Sequence, residues 1–277
     1  GKTTMLHNII HDLISHHSPA ELQLLISDPK RVDYGIYHDL QHLAQPLARD
    51  RTETVQMTAW LIAEMDRRIA KFEEYSRRAL CNNLDRYAQL SGERLPRVIA
   101  IYDELADVMC EPLEAHLERL VKLGAAYGIQ LILATQRPSA KSIPGEIISQ
   151  VAGRMVTWMP SAREYGVVSQ IPKEVYGEMS KTRGRFMVLS DAGWRITQGR
   201  LVPDRQLYTV ARAHGGRIRR WPGRTVLAPP AKETAVNWHT LNDDEKVAAI
   251  LQYRRDLGDW PTYQQTMDRF SISRPTV

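Results

Sequence analysis

Lysine, threonine and a pair of carboxylates stand in two short segments that are far apart in this chain. The first segment, Gly1-Lys2-Thr3-Thr4, resembles the end of a G-x-x-x-x-G-K-[ST] loop that runs into a helix. In such a loop Lys2 would reach the β- and γ-phosphates of ATP, and the hydroxyl of Thr3 would bind Mg²⁺. Backbone N–H groups at the helix start would cradle the phosphate oxygens. We expect the chain to begin inside this loop. Because only the end of the motif is present, the alternative interpretation of these residues as an ordinary helix start remains open.

The second segment is an apolar run, "RVIAIY", that ends in Asp103-Glu104. Asp103 would hold Mg²⁺ through its water shell, and Glu104 would orient or deprotonate the attacking water. The alternative, two solvated carboxylates at the start of the next helix, is weakened by the Gly-Lys-Thr segment upstream. A third polar position, Gln136, follows the apolar run "IQLILA". Its amide both donates and accepts hydrogen bonds, so it could sense the γ-phosphate or the lytic water, or be a plain loop residue.

Alternating strands and helices must position these side chains. Apolar runs rich in Ile, Leu and Val predict buried strands over 22–28, 97–103, 129–135 and 154–159. Helical patterns lie over 3–15, 53–90 and 111–125. Strands that alternate with helices predict an α/β domain with a parallel sheet, in which ligands bind beyond the carboxyl ends of the strands.

Several further segments, in a consistent order, resemble the motor of the FtsK/SpoIIIE translocases. They are "SDPKRVDY" (27–34), "EMDRR" (64–68), "NNLDRY" (82–87), "DELADVM", "LILATQRPS" and the closing hairpin "GRFMVLS…RITQGRLV" (184–202). The resemblance covers about residues 1–204. It implies a RecA-like P-loop NTPase fold with a mainly parallel central sheet. It also implies ATP and Mg²⁺ as cofactors, a homo-hexameric ring and double-stranded DNA in the central pore.

Ring motors of this type need a positive charge supplied in trans to the phosphate. Arg163, in "PSAREYG", stands where the resembled family carries an arginine, and it is our candidate for that role. Arg154 and Arg137 are competing candidates for this role. The alternative that Arg163 is a surface arginine without this role remains open. Arg137 and Lys141 are the cations expected to meet DNA near the pore, although the pore loops themselves are not identified by the sequence.

Composition fits a globular intracellular protein. Hydrophobic residues make up 43% of the 277 residues, and no run of about 18 apolar residues exists that could span a membrane. Two cysteines, Cys81 and Cys110, suit a reducing cytosol better than a disulfide framework. We therefore expect a cytoplasmic location, and a membrane anchor outside this sequence stays open.

The basic excess lies in the carboxyl-terminal part. Residues 205–277 hold 12 Lys and Arg against 7 Asp and Glu, which accounts for the whole net charge of +5. We interpret 1–204 as the motor domain and 205–236 as a basic, Pro-containing connector. Residues 237–277 resemble a winged helix-turn-helix module, with a plain helical hairpin as the alternative. The residues expected to contact DNA here are Arg217, Arg219, Arg220, Arg274 and Thr276.

The sequence therefore predicts an ATP-driven translocase of double-stranded DNA, acting in chromosome segregation or mobile-element transfer. One alternative is an FtsK-like ATPase of a secretion system, which would move proteins. Another is a DNA-binding regulator that has lost catalysis. Lys2, Thr3, Asp103 and Glu104 are all of the active type, which argues against the second alternative.

Overall fold

A three-stranded parallel sheet forms the centre of the fold. The computed structural model describes residues 1–77, 79–136, 143–159, 177–190 and 193–216. The strands are β1 Leu22–Ser27, β2 Arg97–Tyr102, β3 Ile129–Leu133, β4 Arg154–Thr157, β5 Arg185–Ser190 and β6 Gly193–Gln198. The helices are α1 Lys2–His16, α2 Arg51–Ser76, α3 Leu84–Ser91, α4 Leu105–Val108, α5 Glu111–Leu123, α6 Gly145–Gln150 and α7 Asp204–Ala213. Short 3-10 turns occur at Gly35–Tyr37 and Gly124–Tyr127.

The sheet has the order β1-β2-β3, and all three strands run in the same direction. The register pairs Ser27 with Tyr102 and Tyr102 with Leu133, so the three strands end side by side. Along the free side of β1, residues 42–48 form two isolated parallel bridges. This register confirms the parallel α/β sheet expected from the sequence, and it brings the polar residues after each strand to one edge.

Helices cover both faces of this sheet because the strand side chains alternate between them. Leu24 and Ile26 pack in a cluster with Leu6, Ile10 and Ile14 of α1. The intervening side chain of β1 and alternate side chains of β2 pack against α2 and α5. This second cluster includes Leu25, Val98, Ala100, Met57, Leu61, Leu113 and Leu117.

The helical stretch expected over 53–90 is two helices rather than one. Helix α2 begins after Asp50, whose carboxylate accepts the N–H of Glu53, and it ends at Ser76. Helix α3 has its own N-cap, Asn83, which accepts the N–H of Arg86. An asparagine in this position satisfies one of the free N–H groups of a new helix, which is why the apolar period restarts here.

The apolar run at 154–159 belongs to a second sheet, which is antiparallel. Strand β4 pairs with β5, and β5 pairs with β6, which confirms the hairpin expected near 184–202. An apolar run predicts burial but not strand direction, so the sequence could not separate β4 from the parallel strands. A cavity of about 440 Å³ lies between this sheet, β3 and the first turns of α1.

The first residues of the expected connector fold onto the motor. Helix α7 begins after Pro203 and buries Leu207 and Ala211, and Ala211 joins the cluster that contains α1. Beyond it, Gly215 forms an antiparallel bridge with Leu40. The basic and Gly-containing residues predict an irregular connector from residue 205. The structure instead has helix α7 up to Ala213, because its apolar side chains are spaced to pack on the motor, and the bridge at Gly215 follows it.

None of the helices in the described ranges is both long enough and apolar enough to cross a membrane.

Candidate functional site

Polar side chains from three strands and one helix meet at the carboxyl edge of the parallel sheet. Asp28 follows β1, the pair Asp103 and Glu104 follows β2, and Thr135 follows β3. Hydrogen bonds continue past the strand ends and fix these residues. The N–H of Asp103 donates to Ser27 at 3.0 Å, and the N–H of Leu105 donates to Ala134 at 2.8 Å. The site is therefore built on the sheet and not on free loops.

Lys2 joins the two segments that the sequence had singled out. Its Nζ lies 2.6 Å from Oδ1 of Asp103 and 3.1 Å from Oε2 of Glu104. Both carboxylates are almost fully buried, with 2% of each side chain exposed. Helix α1 begins at Lys2, so the free N–H groups of the helix start lie at the same end of the helix as this lysine. The predicted lysine and the predicted acids thus form one site.

Glu104 adopts a backbone conformation that is rare for a residue with a side chain. Its φ of 54° and ψ of 60° lie in the left-handed region, where it serves as N-cap of α4. Such a conformation costs on the order of 1–3 kcal/mol and persists only where surrounding contacts impose it. Here the bond from Leu105 to Ala134 imposes it and turns the chain sharply after β2. The strained backbone makes Glu104 a candidate functional position.

Four donors hold the carboxylate of Glu104. Its Oε1 accepts the hydroxyl of Thr135 at 2.9 Å and the backbone N–H of Gln136 at 2.9 Å. Its Oε2 accepts Nζ of Lys2 at 3.1 Å and Nζ of Lys30 at 3.2 Å. Both oxygens are therefore directed from opposite sides, which fixes the orientation of the carboxylate.

These contacts keep Glu104 ionised. Burial alone would raise the pKa of its carboxyl group, but the bonds from Gln136, Thr135 and Lys2 outweigh burial and lower the pKa to about 2. In this state the Glu104 carboxylate is a fixed hydrogen-bond acceptor and a weak base. Movement of Lys2 toward a phosphate would remove one of the causes and raise the pKa again.

Lys30 is a member of this site that the sequence did not assign. It lies in the segment "SDPKRVDY", which was noted only as a family resemblance. The preceding Asp28 folds this segment back, because its carboxylate accepts the N–H groups of Arg31 and Tyr34 at 3.1 and 3.3 Å. The available signal was a lysine two residues after Asp28, the aspartate that follows the apolar run of β1.

A hydroxyl and two carboxylates lie near the start of α1. The hydroxyl of Thr3 donates to Oδ2 of Asp33 at 3.4 Å, and Asp103 faces Lys2. Burial raises the pKa of Asp28, and the nearby charge of Asp103 contributes to the rise, so carboxylates crowd this edge. Hydroxyl and carboxylate oxygens are ligands that Mg²⁺ prefers. Thr3 and Asp103 could hold this ion, and its charge would replace that of Lys2 beside Asp103.

The other predicted site residues differ in what the structure gives them. Gly1 is the N-cap of α1 and Thr4 lies in its first turn. Gln136 contacts Glu104 through its backbone, while its side chain is exposed, so the sensor role of the amide stays a prediction. Arg154, the competitor for the trans-acting role, donates to the carbonyls of Ile148 at 2.9 Å and Val151 at 3.4 Å. The remaining candidates, Arg137, Lys141, Arg163, Arg217, Arg219, Arg220, Arg274 and Thr276, lie outside the described residues.

Comparison with known proteins identifies a family that the chain resembles in sequence. The model of the FtsK/SpoIIIE family matches residues 1–140 of the chain. A DNA translocase FtsK of Campylobacter jejuni is 34% identical over 158 residues, which are 56% of this chain and 17% of that protein. A DNA translocase FtsK of Treponema pallidum is 30% identical over 232 residues, which are 80% of this chain and 28% of that protein. The chain thus spans less than a third of the length of these curated relatives.

A solved structure shares the fold. EssC (ATPases 2 and 3) from Geobacillus thermodenitrificans superposes with a TM-score of 0.66 at 20% sequence identity. The match covers 77% of this chain and 41% of that chain. At this identity the likeness concerns the fold alone.

Proposed function

Because this chain belongs to the FtsK/SpoIIIE family, we propose that it is the ATP-hydrolysing motor of a translocase that moves double-stranded DNA. The observation that carries the proposal is the contact of Lys2 with both Asp103 and Glu104, at 2.6 and 3.1 Å. A lysine at a helix start that faces two buried acids after a parallel strand fits the parts of a P-loop NTPase site, in which the lysine serves the phosphates and an acid serves Mg²⁺.

Each residue of the site has a separate task in this proposal. Lys2 leaves the carboxylates and neutralises the β- and γ-phosphates, while the N–H groups of Gly1 to Thr4 cradle phosphate oxygens. Thr3 and Asp103 would hold Mg²⁺, Asp103 through water. When bound, this ion supplies positive charge that balances the charge developing on the phosphate oxygens.

Glu104 orients the water that attacks the γ-phosphate and accepts its proton. The donors Thr135 and Gln136 fix one carboxylate oxygen, so the other can be directed at the water. In the proposed ring, the side chain of Gln136 senses the γ-phosphate, and Arg163 of a neighbouring subunit completes the charge around it. Arg137 is a competitor for that role, and so is Arg154, although its contacts with two local carbonyls disfavour it.

Double-stranded DNA is the proposed substrate, held in a homo-hexameric ring. Arg137 and Lys141 would contact phosphates in the pore, and phosphate contacts carry no sequence information. Sequence preference would come from the helix-turn-helix-like residues 237–277, where Arg274 and Thr276 would meet base edges or phosphates. Chromosome segregation and mobile-element transfer are both compatible with this activity.

The proposal is tested by ATP hydrolysis in the complete protein, with and without linear duplex DNA. We expect hydrolysis to need Mg²⁺ and to rise with duplex, and we expect the enzyme to displace a third strand from a triplex ahead of it. Glu104→Gln is the matched inactive control. If duplex DNA does not change the ATPase rate and the third strand stays bound to the triplex, the protein is not a DNA pump. An ATPase that moves protein would then be favoured.

A further inference from the structure

The carboxylate of Glu104 is shared by two lysines, and only one of them has a task at the nucleotide. Nζ of Lys2 and Nζ of Lys30 lie 3.1 and 3.2 Å from the same oxygen, Oε2. Asp103 completes the group through its contact with Lys2. Two lysines and two acids thus form a neutral quartet at the strand ends.

Nucleotide binding must divide this quartet. The inference rests on the proposed function, in which Lys2 moves to the phosphates and Asp103 turns to Mg²⁺. Glu104 then stays behind with 2% of its side chain exposed, and a buried carboxylate without a cation is strongly unfavourable. Lys30 already lies on the oxygen that Lys2 would leave, so the charge of Glu104 stays compensated.

We propose that Lys30 is a positioning residue for ATP hydrolysis, which holds Oε2 of Glu104 in place once Lys2 has moved to the phosphates. It does so without touching the nucleotide. Thr135 and Gln136 hold Oε1 from the other side, so the carboxylate keeps one orientation through the cycle. Without Lys30 the carboxylate rotates about its remaining contacts, and the attacking water loses its alignment.

The backbone around Lys30 suits this task. Asp28 has 2% of its surface exposed and accepts the N–H groups of Arg31 and Tyr34, which folds residues 28–34 into a fixed turn. The N–H of Asp28 is itself held by Ala48 at 2.8 Å. The turn directs the ammonium group of Lys30 at Glu104 while 39% of the lysine side chain stays exposed. A substitution of Lys30 therefore removes the charge with little change to the core.

The test compares Lys30→Met with Lys30→Arg in the complete protein. We expect Lys30→Met to lower kcat for ATP by about 10- to 100-fold, the size of effect that a misplaced catalytic group produces. The KM for ATP and its binding affinity should stay within about threefold, because in this proposal Lys30 acts through Glu104 and not on the phosphates. Lys30→Arg keeps the charge and should restore part of the loss. The basal rate and the DNA-stimulated rate should fall by the same factor.

A matched control is Lys122→Met, which removes a lysine that pairs with Glu146 at 3.4 Å on the exposed surface. It should hydrolyse ATP like the wild type. The inference is wrong if Lys30→Met leaves kcat unchanged, if it raises KM alone, or if it lowers only the DNA-stimulated rate. It is also wrong if both Lys30 variants lower the melting temperature and lose activity together. A wild type without ATP hydrolysis would overturn the proposed function instead, and the inference would fall with it.

Discussion

Lys2 Nζ lies 2.6 Å from Oδ1 of Asp103, so the positive charge of the phosphate-binding loop is neutralised by the residue that is expected to serve Mg²⁺. In the proposed function, Lys2 would move to the triphosphate when nucleotide binds, and Asp103 would help to hold Mg²⁺. Neither charge would then be buried without a partner. Binding of ATP and binding of Mg²⁺ should therefore favour each other.

Lys2→Ala should abolish ATP turnover in the complete protein. Lys2 supplies the mobile positive charge of this loop, and its loss also leaves Asp103 and Glu104 with fewer cations. We expect the rate to fall by at least about 100-fold, as on loss of a transition-state donor. Steady-state ATP hydrolysis measures this, with Lys71→Ala, whose lysine pairs with Glu93 on the surface, as the control. Turnover near the wild-type rate would refute the assignment of Lys2.

Glu104→Gln should stop hydrolysis while ATP still binds. The amide oxygen can still accept the bonds from Thr135 and Gln136, so the side chain keeps its place. It no longer attracts Lys2, which is then free to meet the phosphates. We expect ATP affinity equal to or tighter than that of the wild type, measured by binding of a fluorescent ATP analogue. An equal loss of binding would instead make Glu104 a folding or Mg²⁺ residue.

Most residues of this site could be predicted from the sequence, because the motifs that contain them are local. Gly-Lys-Thr before a helix and Asp-Glu after an apolar strand each need only their neighbours to be recognised. The packing of α1 on the sheet then brings Lys2 to Asp103 and Glu104. No local pattern could report the contact of Lys30 with Glu104, since it depends on how the turn after β1 folds back.

Direction and packing were harder to predict than burial. The run that became β4 had the same apolar pattern as the parallel strands, yet it pairs with β5 in the antiparallel sheet. The residues of α7 were assigned to a connector because Gly and Arg follow them. Their burial depends on α1, far away in sequence, and no window around residue 207 contains that partner.

Arg68→Met should destabilise the motor far more than Arg67→Met. Both arginines bind the carboxylate of Glu64, but Arg68 is 1% exposed and also donates to the carbonyls of Tyr127 and Pro96 at 2.7 and 2.9 Å. Its loss leaves a buried carboxylate and two carbonyls short of donors, at a cost of about 3–5 kcal/mol. Arg67 is one-third exposed, and its loss should cost about 1 kcal/mol or less. Chemical unfolding followed by circular dichroism measures the difference, and equal losses would contradict it.

Acid should unfold the motor partly through Glu64. Burial would raise the pKa of this carboxyl group, but the bonds from Arg67 and Arg68 lower it below the ordinary value. A lowered pKa stabilises the fold above the ordinary value of 4.5, and the stabilisation is lost as the pH falls through the folded-state pKa. In Arg68→Met the unfolding free energy should therefore fall less between about pH 5 and pH 3. If the unfolding free energies of wild type and variant fall by the same amount across this pH range, the prediction is wrong.

Two truncations should separate the motor from the carboxyl-terminal residues. A protein that ends at Gly216 keeps α7, with Leu207 and Ala211 buried, and should retain ATP hydrolysis stimulated by any duplex. A protein that ends at Pro203 loses this packing and should be destabilised, because burying each large apolar side chain contributes about 1.5–3 kcal/mol. Melting temperature and ATPase rate measure both effects.

The longer truncation product also tests the DNA-binding role proposed for residues 217–277. It should lose any preference among duplex sequences, because base edges in the major groove carry the sequence information. It should also bind DNA with a smaller salt dependence, since each lost phosphate contact reduces the log–log slope by about 0.9. DNA affinity at two salt concentrations on several duplexes measures both. If truncation at Gly216 abolishes the stimulation of ATP hydrolysis by DNA, residues 217–277 belong to the translocating machinery. If neither preference nor slope changes, they do not contact DNA, and a motor that moves protein becomes the better interpretation.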